Sequence, residues 1–191
     1  MTRGTAAIAA KEFRDAVASR WLAAFLLAFC GLGSILALLG AWTSPLGDAG
    51  FGRTTAALLN LVLLIVPLMS LTAGSLAFSS ERERGTLGFL MSLPLETREI
   101  FWGKFAGSAM ALGAALAGAF GALGTVLALR GGLAGVGLYA AFFLATLMLA
   151  AVCLALGFLA SARSSKVAAG LGAAILVWLA LGFAGDLGLL G

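Results

Sequence analysis

Residues 80–104 read SERERGTLGFLMSLPLETREIFWGK. Of the 12 Lys and Arg and 8 Asp and Glu residues in the chain, eight fall in this stretch: Glu81, Arg82, Glu83, Arg84, Glu96, Arg98, Glu99 and Lys104. On both sides the chain is almost pure Ala, Leu, Gly and Phe. A charged, capped segment between apolar runs does not sit in hydrocarbon. It lies at one membrane face, within reach of water, headgroups or a partner protein.

The surrounding composition fixes the class. The 191 residues are 62% hydrophobic and 10% charged, whereas soluble domains carry about 25% charged residues. The apolar runs exceed what core helices need, so the chain reads as an all-α integral membrane protein. A β-barrel needs alternating segments of about 10 residues, and these runs do not alternate. The sequence pI is about 9.7. Its basic residues sit beside the spans, as insertion topology requires, and no nucleic-acid partner is expected.

Working outward, five spans are expected. Residues 5–20 form an amphipathic helix candidate. Ala10, Phe13, Val17 and Trp21 recur at helical spacing, and Lys11, Glu12, Arg14, Asp15 and Arg20 fill the other positions. That pattern suits a helix lying in the membrane interface. Span one follows at 21–41, bracketed by Trp21 and Trp42 as aromatic belts bracket a bilayer. Span two covers 56–78 with Pro67 near its middle, where proline kinks a membrane helix. Span three covers 105–129. Its small residues, Gly113 with Ala117, Ala117 with Gly121 and Gly118 with Ala122, have the spacing that permits close helix approach. Spans four and five cover 133–160 and 167 onward.

With the amino terminus inside, Arg3, Lys11, Arg14, Arg20, Arg82, Arg84, Arg98, Lys104, Arg163 and Lys166 face the cytoplasm, and only Arg53 and Arg130 lie outside. This bias places the 80–104 stretch in the cytoplasm, and the cell's inner membrane is the expected location. Within it, Ser80 and Glu83 have capping-box spacing, so a short helix is expected from there to Met91. Leu87, Leu90 and Met91 share one face, and the helix stops before Pro94.

The order Glu81-Arg82-Glu83-Arg84-Gly85-Thr86-Leu87, then Leu93-Pro94-Leu95, Arg98-Glu99-Ile100 and Gly103-Lys104 resembles the stretch after the second span of ABC-2 type transporter permeases. The helix before span one is similar to the family's amino-terminal elbow. The short first outer loop resembles that of the NosY-like branch, the permeases linked to nitrous oxide reductase maturation. The resemblance implies one ABC-2 type transmembrane domain over 1–191. It implies a coupling helix bearing Glu81, Arg82, Glu83, Arg84, Gly85, Thr86, Leu87 and Leu90 that seats in a separate ATPase subunit. Pro94, Arg98, Glu99, Gly103 and Lys104 complete the motif. It also implies an ATPase dimer, a second permease copy and surrounding lipid as partners. The family has six spans and this sequence supplies five, so the chain is expected to be truncated or unusually short.

ATP and magnesium would then sit on the partner, and no cofactor is expected in this chain. Gly103-Lys104 is followed by Phe105, and Arg98 stands where a Walker A motif needs Gly. Enzymatic roles are disfavoured further. The chain has no His, which removes Ser-His-Asp and Cys-His schemes. Asn60, Pro67 and Asp186 are candidate pathway residues, since an intramembrane acid is a functional candidate by default. Ser70, Thr72 and Ser75 are assigned to interhelical hydrogen bonds. Cys30 and Cys153 match no zinc spacing, and with Met69, Met110 and Met148 they read as core filling rather than a copper path. The competing reading is a small channel or structural membrane protein that works without an ATPase.

Overall fold

In the computed structural model the backbone is described for residues 3–43, 48–88, 92, 95–131 and 136–189, and side chains for 4–35, 59–88, 92, 95–125 and 136–183. Six helices are described: α1 (Arg3–Val17), α2 (Arg20–Thr43), α3 (Asp48–Glu83), α4 (Thr97–Gly131), α5 (Val136–Arg163) and α6 (Val167–Leu189). The five expected spans correspond to α2–α6. On described residues alone, three segments are long and apolar enough to cross a membrane: Leu59–Glu83, Thr97–Thr125 and Val136–Arg163. The pair α1 and α2 qualifies as a fourth only as one span bent by 58°, and the described part of α6, Val167–Phe183, is a shorter apolar helix.

The bend between α1 and α2 has a local cause. Ser19 interrupts the helix, and its Oγ accepts from the Leu22 N–H at 3.2 Å. That is the N-cap geometry of a new helix.

Helix α3 is the axis of the bundle and packs against α2, α4, α5 and α6. Lipid offers apolar side chains no less than a neighbouring helix does, so close packing has to come from small residues. Gly74 and Gly157 supply it between α3 and α5: a Cβ on Gly157 would lie 2.5 Å from the Leu71 carbonyl oxygen. Gly170 lets α6 approach α3 in the same way, with the Ser75 carbonyl 3.0 Å from where its Cβ would be. The stripe expected on span three does not serve this purpose. Gly118 and Gly121 have nothing within 4 Å, and Gly113 meets only Leu147 at 3.9 Å.

The core between α2, α3, α4 and α5 is built from Phe29, Val62, Val66, Leu116, Phe120, Leu154 and Phe158 among others. Met69 and Cys153 are buried, whereas Met110 and Met148 are exposed, so those two do not fill the core. Pro67 is buried within α3. In the turn it interrupts, Trp178 Nε1 of α6 donates to the Leu64 carbonyl at 3.1 Å. Asn60 is exposed, and the Asp186 side chain lies outside the described residues.

Hydroxyl groups on α3 bond mostly within their own helix. Thr72, Ser75 and Ser79 donate to the Leu68, Thr72 and Ser75 carbonyls. The expected interhelical bonding survives at Thr72, whose Oγ1 accepts from Trp21 Nε1 at 3.4 Å. Ser70 Oγ is buried and has no partner among the described residues.

Candidate functional site

The helix expected to begin at Ser80 does not begin there. Helix α3 runs through Ser80 to Glu83, and Ser80 Oγ donates to the Leu76 carbonyl at 2.5 Å. Gly85, at φ 73°, ends it. The Thr86 N–H reaches the Glu81 carbonyl at 2.9 Å and the Gly85 N–H reaches the Arg82 carbonyl at 3.2 Å. These two bonds form a Schellman motif, whose left-handed residue is normally glycine. Helical backbone resumes at Leu87 and Gly88, and the Ser92 N–H bonds the Gly88 carbonyl at 3.1 Å. Leu90 and Pro94 lie outside the described residues.

The start of α4 carries the capping arrangement instead. Glu96 precedes the first turn, and its N–H donates to Glu99 Oε2 at 3.3 Å. This is the reach-back half of a capping box. Arg98 beside it is exposed.

The ERER segment is therefore a helix end, and three of its four charges bond to other elements: Glu81 inside the bundle, and the exposed Arg82 and Glu83 at its surface. Glu81 Oε1 accepts from Lys104 Nζ of α4 at 2.8 Å, and Lys104 Nζ reaches Glu12 Oε1 of α1 at 2.6 Å. Lys104 is 2% exposed, against 17% for Glu12 and 19% for Glu81. An ammonium so enclosed is tolerated only with close charged partners, and both distances are those of charge-assisted bonds. The Phe78 ring lies 5.8 Å from Nζ, within cation–π range. Glu81 Oε2 is buried and has no hydrogen-bond partner among the described residues.

Helix α1 reaches this point because α4 opens a groove for it. Gly103 and Gly107 form a GxxxG pair against Ile8, Ala9 and Glu12 of α1. A Cβ on Gly103 would lie 2.8 Å from Ile8 Cβ, and one on Gly107 would lie 2.5 Å from the Ala9 carbonyl oxygen. Thr5 and Ala9 are buried, while Ala10 and Val17 are exposed and Phe13 is half-buried. The stripe read as the apolar face of α1 thus does not supply its buried contact with α4. Glu12, assigned to the polar face, is an interior anchor.

Arg82 and Glu83 address the turn between α5 and α6. The Arg82 guanidinium donates to the Ser164 carbonyl and, at 3.5 Å, to the Ala162 carbonyl. Glu83 Oε2 accepts from the Val167 N–H at 2.7 Å. The cation meets the carbonyl end of α5 and the anion meets the amide end of α6, as the two helix dipoles favour. Ser161 Oγ completes the junction by accepting from the Phe78 and Ser79 N–H groups, each at 2.9 Å. Arg84 is exposed.

Lys104 is legible in the sequence as part of the family motif and Glu81, Arg82 and Glu83 as coupling residues, but their contacts within the bundle are not. Glu12 as the partner of Lys104 has no sequence signal, and Gly107 stands out only as one of the small residues of span three. The GxxxG spacing at 103–107 was readable, against a background of 27 glycines. Among the described residues no group of His, Cys, Asp and Glu has metal-binding geometry.

Comparison with known proteins agrees with this architecture. The model of the family described as ABC-2 family transporter protein matches residues 6–188. The probable ABC transporter permease protein NosY of Stutzerimonas stutzeri is 34% identical over 188 residues, which cover 96% of this chain and 68% of that protein. The protein of the same description from Pseudomonas aeruginosa is 33% identical over 190 residues, with 96% and 68% covered. With a helical fold that carries several apolar spans and a matched family over nearly its whole length, the chain belongs to the ABC-2 family of transporter proteins, as a multi-pass membrane permease that is NosY-like.

Proposed function

We propose that this chain is the membrane subunit of an ATP-driven exporter, coupled to a separate ATPase subunit that supplies ATP, magnesium and hydrolysis. The observation that carries the reading is the wiring of the ERER corner. Glu81, Arg82 and Glu83 connect one helix end to α1, α4, the α5–α6 turn and α6. A force applied beside this corner reaches most of the bundle. Arg84, Gly85, Thr86 and Leu87 continue from it, and the first three are exposed. The docking surface begins after the half-buried Glu81, where Arg82, Glu83 and Arg84 are all exposed. The corner faces the cytoplasm, the amino terminus lies on the same side, and the membrane is the cell's inner membrane. Two permease copies accompany two ATPase subunits, so the pathway forms between copies.

Co-purification in mild detergent with the ATPase encoded nearby, followed by an ATPase assay with and without this chain, tests the reading. A stable complex with altered hydrolysis supports it. A chain that never associates, including in a form extended at its carboxyl terminus, overturns it in favour of an ATPase-independent channel or structural protein.

A further inference from the structure

Lys104 does more than fill the start of α4. It is the charged side chain most enclosed among the described residues, and it bonds carboxylates from two other helices. Helix α1 packs chiefly on α4, and its ion pair toward the end of α3 runs through Lys104 Nζ, from Glu12 on one side to Glu81 on the other. Two carboxylates share one ammonium, and the second oxygen of Glu81 already lacks a partner. Sliding α3 away from α1 would strand a further buried charge, and a buried charge that loses its partner is strongly destabilising. The three helix ends are therefore held to move together. The aromatic surroundings add stiffness: Phe78 and Phe105 each pack edge-on against the Phe158 ring, with centroids at 5.7 Å and 5.5 Å.

We infer that Lys104 is a positioning residue of the coupling path: through Glu81 and Glu12 it makes the amino-terminal helix follow any displacement of the ERER corner. This rests on the reading of the chain as an ATPase-coupled permease. It goes beyond that reading by naming the element that receives the motion and the side chain that conveys it. A merely structural Lys104 would affect stability and leave coupling unchanged.

Two measurements decide between these roles. In the first, spin labels replace the exposed Lys11 and Arg84 in the chain alone, with Cys30→Ser and Cys153→Ala in the background. The distance between labels is recorded in lipid nanodiscs with Lys104 present and with Lys104→Met. In the second, the unlabelled chain and its unlabelled Lys104→Met variant are each assembled with the ATPase, and the change they cause in hydrolysis is compared. The expected results are one narrow distance that broadens in Lys104→Met, and a loss of most of the permease-dependent change in hydrolysis, while the complex still co-purifies. An unchanged distance together with unchanged hydrolysis overturns the inference. If Lys104→Met fails to fold, Glu81→Gln keeps the shape and removes one of the two charges. It is read by the same measurements, and wild-type behaviour there overturns the inference equally. If the unaltered chain never binds the ATPase, the reading as an ATPase-coupled exporter subunit fails, and the distance measurement still reports whether Lys104 holds α1 to α3.

Discussion

Gly74 and Gly157 cross in backbone contact: a Cβ placed on Gly74 would lie 2.9 Å from the Gly157 Cα and 2.5 Å from the Leu154 carbonyl oxygen. Neither neighbour is a flexible side chain that can swing away. Gly74→Ala or Gly157→Ala must push α3 and α5 apart, and overpacking of this kind costs about 1–3 kcal/mol. Gly118→Ala and Gly121→Ala meet open space and gain helix propensity, within about 1 kcal/mol of neutral or better. Thermal unfolding in detergent separates the two pairs. Equal melting temperatures across all four variants would contradict the crossing.

The same comparison marks what the sequence could disclose. The apolar runs fixed helices and spans, because every exposed backbone polar group in hydrocarbon needs an internal partner. The ends were harder. Ser80 and Glu83 match a capping box in spelling, yet packing of α3 on α5 and α6 carries the helix past them, and Gly85 at the fifth following position was the truer signal of an end. Lys104 and Glu12 lie 92 positions apart, and no local pattern links them. A charge beside a GxxxG pair was visible, but the helix that fills the groove was not.

The docking charges now divide into two groups. Arg84 is exposed and has no ion-pair partner among the described residues, whereas Glu83 caps α6. Arg84→Glu is expected to leave the melting temperature nearly unchanged, since surface substitutions usually fall within about 0.5 kcal/mol. It is expected to weaken ATPase association and to make what remains less sensitive to salt. Pull-down at low and high ionic strength measures both. Full association by Arg84→Glu at every salt concentration would remove Arg84 from the interface.

Lys11 provides the surface counterpart to Lys104. Its ammonium donates to Asp15 Oδ2 at 3.0 Å in an exposed i,i+4 pair. That hydrogen bond, partly opposed by desolvation, raises Lys11 above its ordinary pKa of 10.5. A raised lysine stabilises the fold fully below its unfolded pKa, and the contribution is lost as pH rises through the higher folded value. Lys11→Met should therefore cost no more than about 0.5 kcal/mol at neutral pH. The gap between variant and wild type should close as pH climbs above about 10.5. Paired melting curves at pH 8 and pH 11 test this; a gap that widens with pH would reverse the assignment.

Arg82 and Glu83 carry the most specific expectation, because their order matters as well as their presence. Arg82 faces the carbonyls of Ala162 and Ser164 at the end of α5, and Glu83 faces the Val167 amide at the start of α6. Exchanging them, Arg82→Glu with Glu83→Arg, keeps composition, net charge and the local excess of charge that sets membrane topology. It nevertheless presents an anion to carbonyl oxygens and a cation to an amide. Each reversed helix-end interaction is worth about 0.3–1 kcal/mol, and each lost hydrogen bond to a charged group about 1.5–3 kcal/mol. The double variant should insert normally yet melt several degrees lower, with faster hydrogen exchange in the first turn of α6 at 167–170. Arg82→Gln, which can still donate to a carbonyl, should lose less. If the exchanged variant matches wild type in both melting and exchange, the corner is held by apolar packing alone and its charges serve only topology.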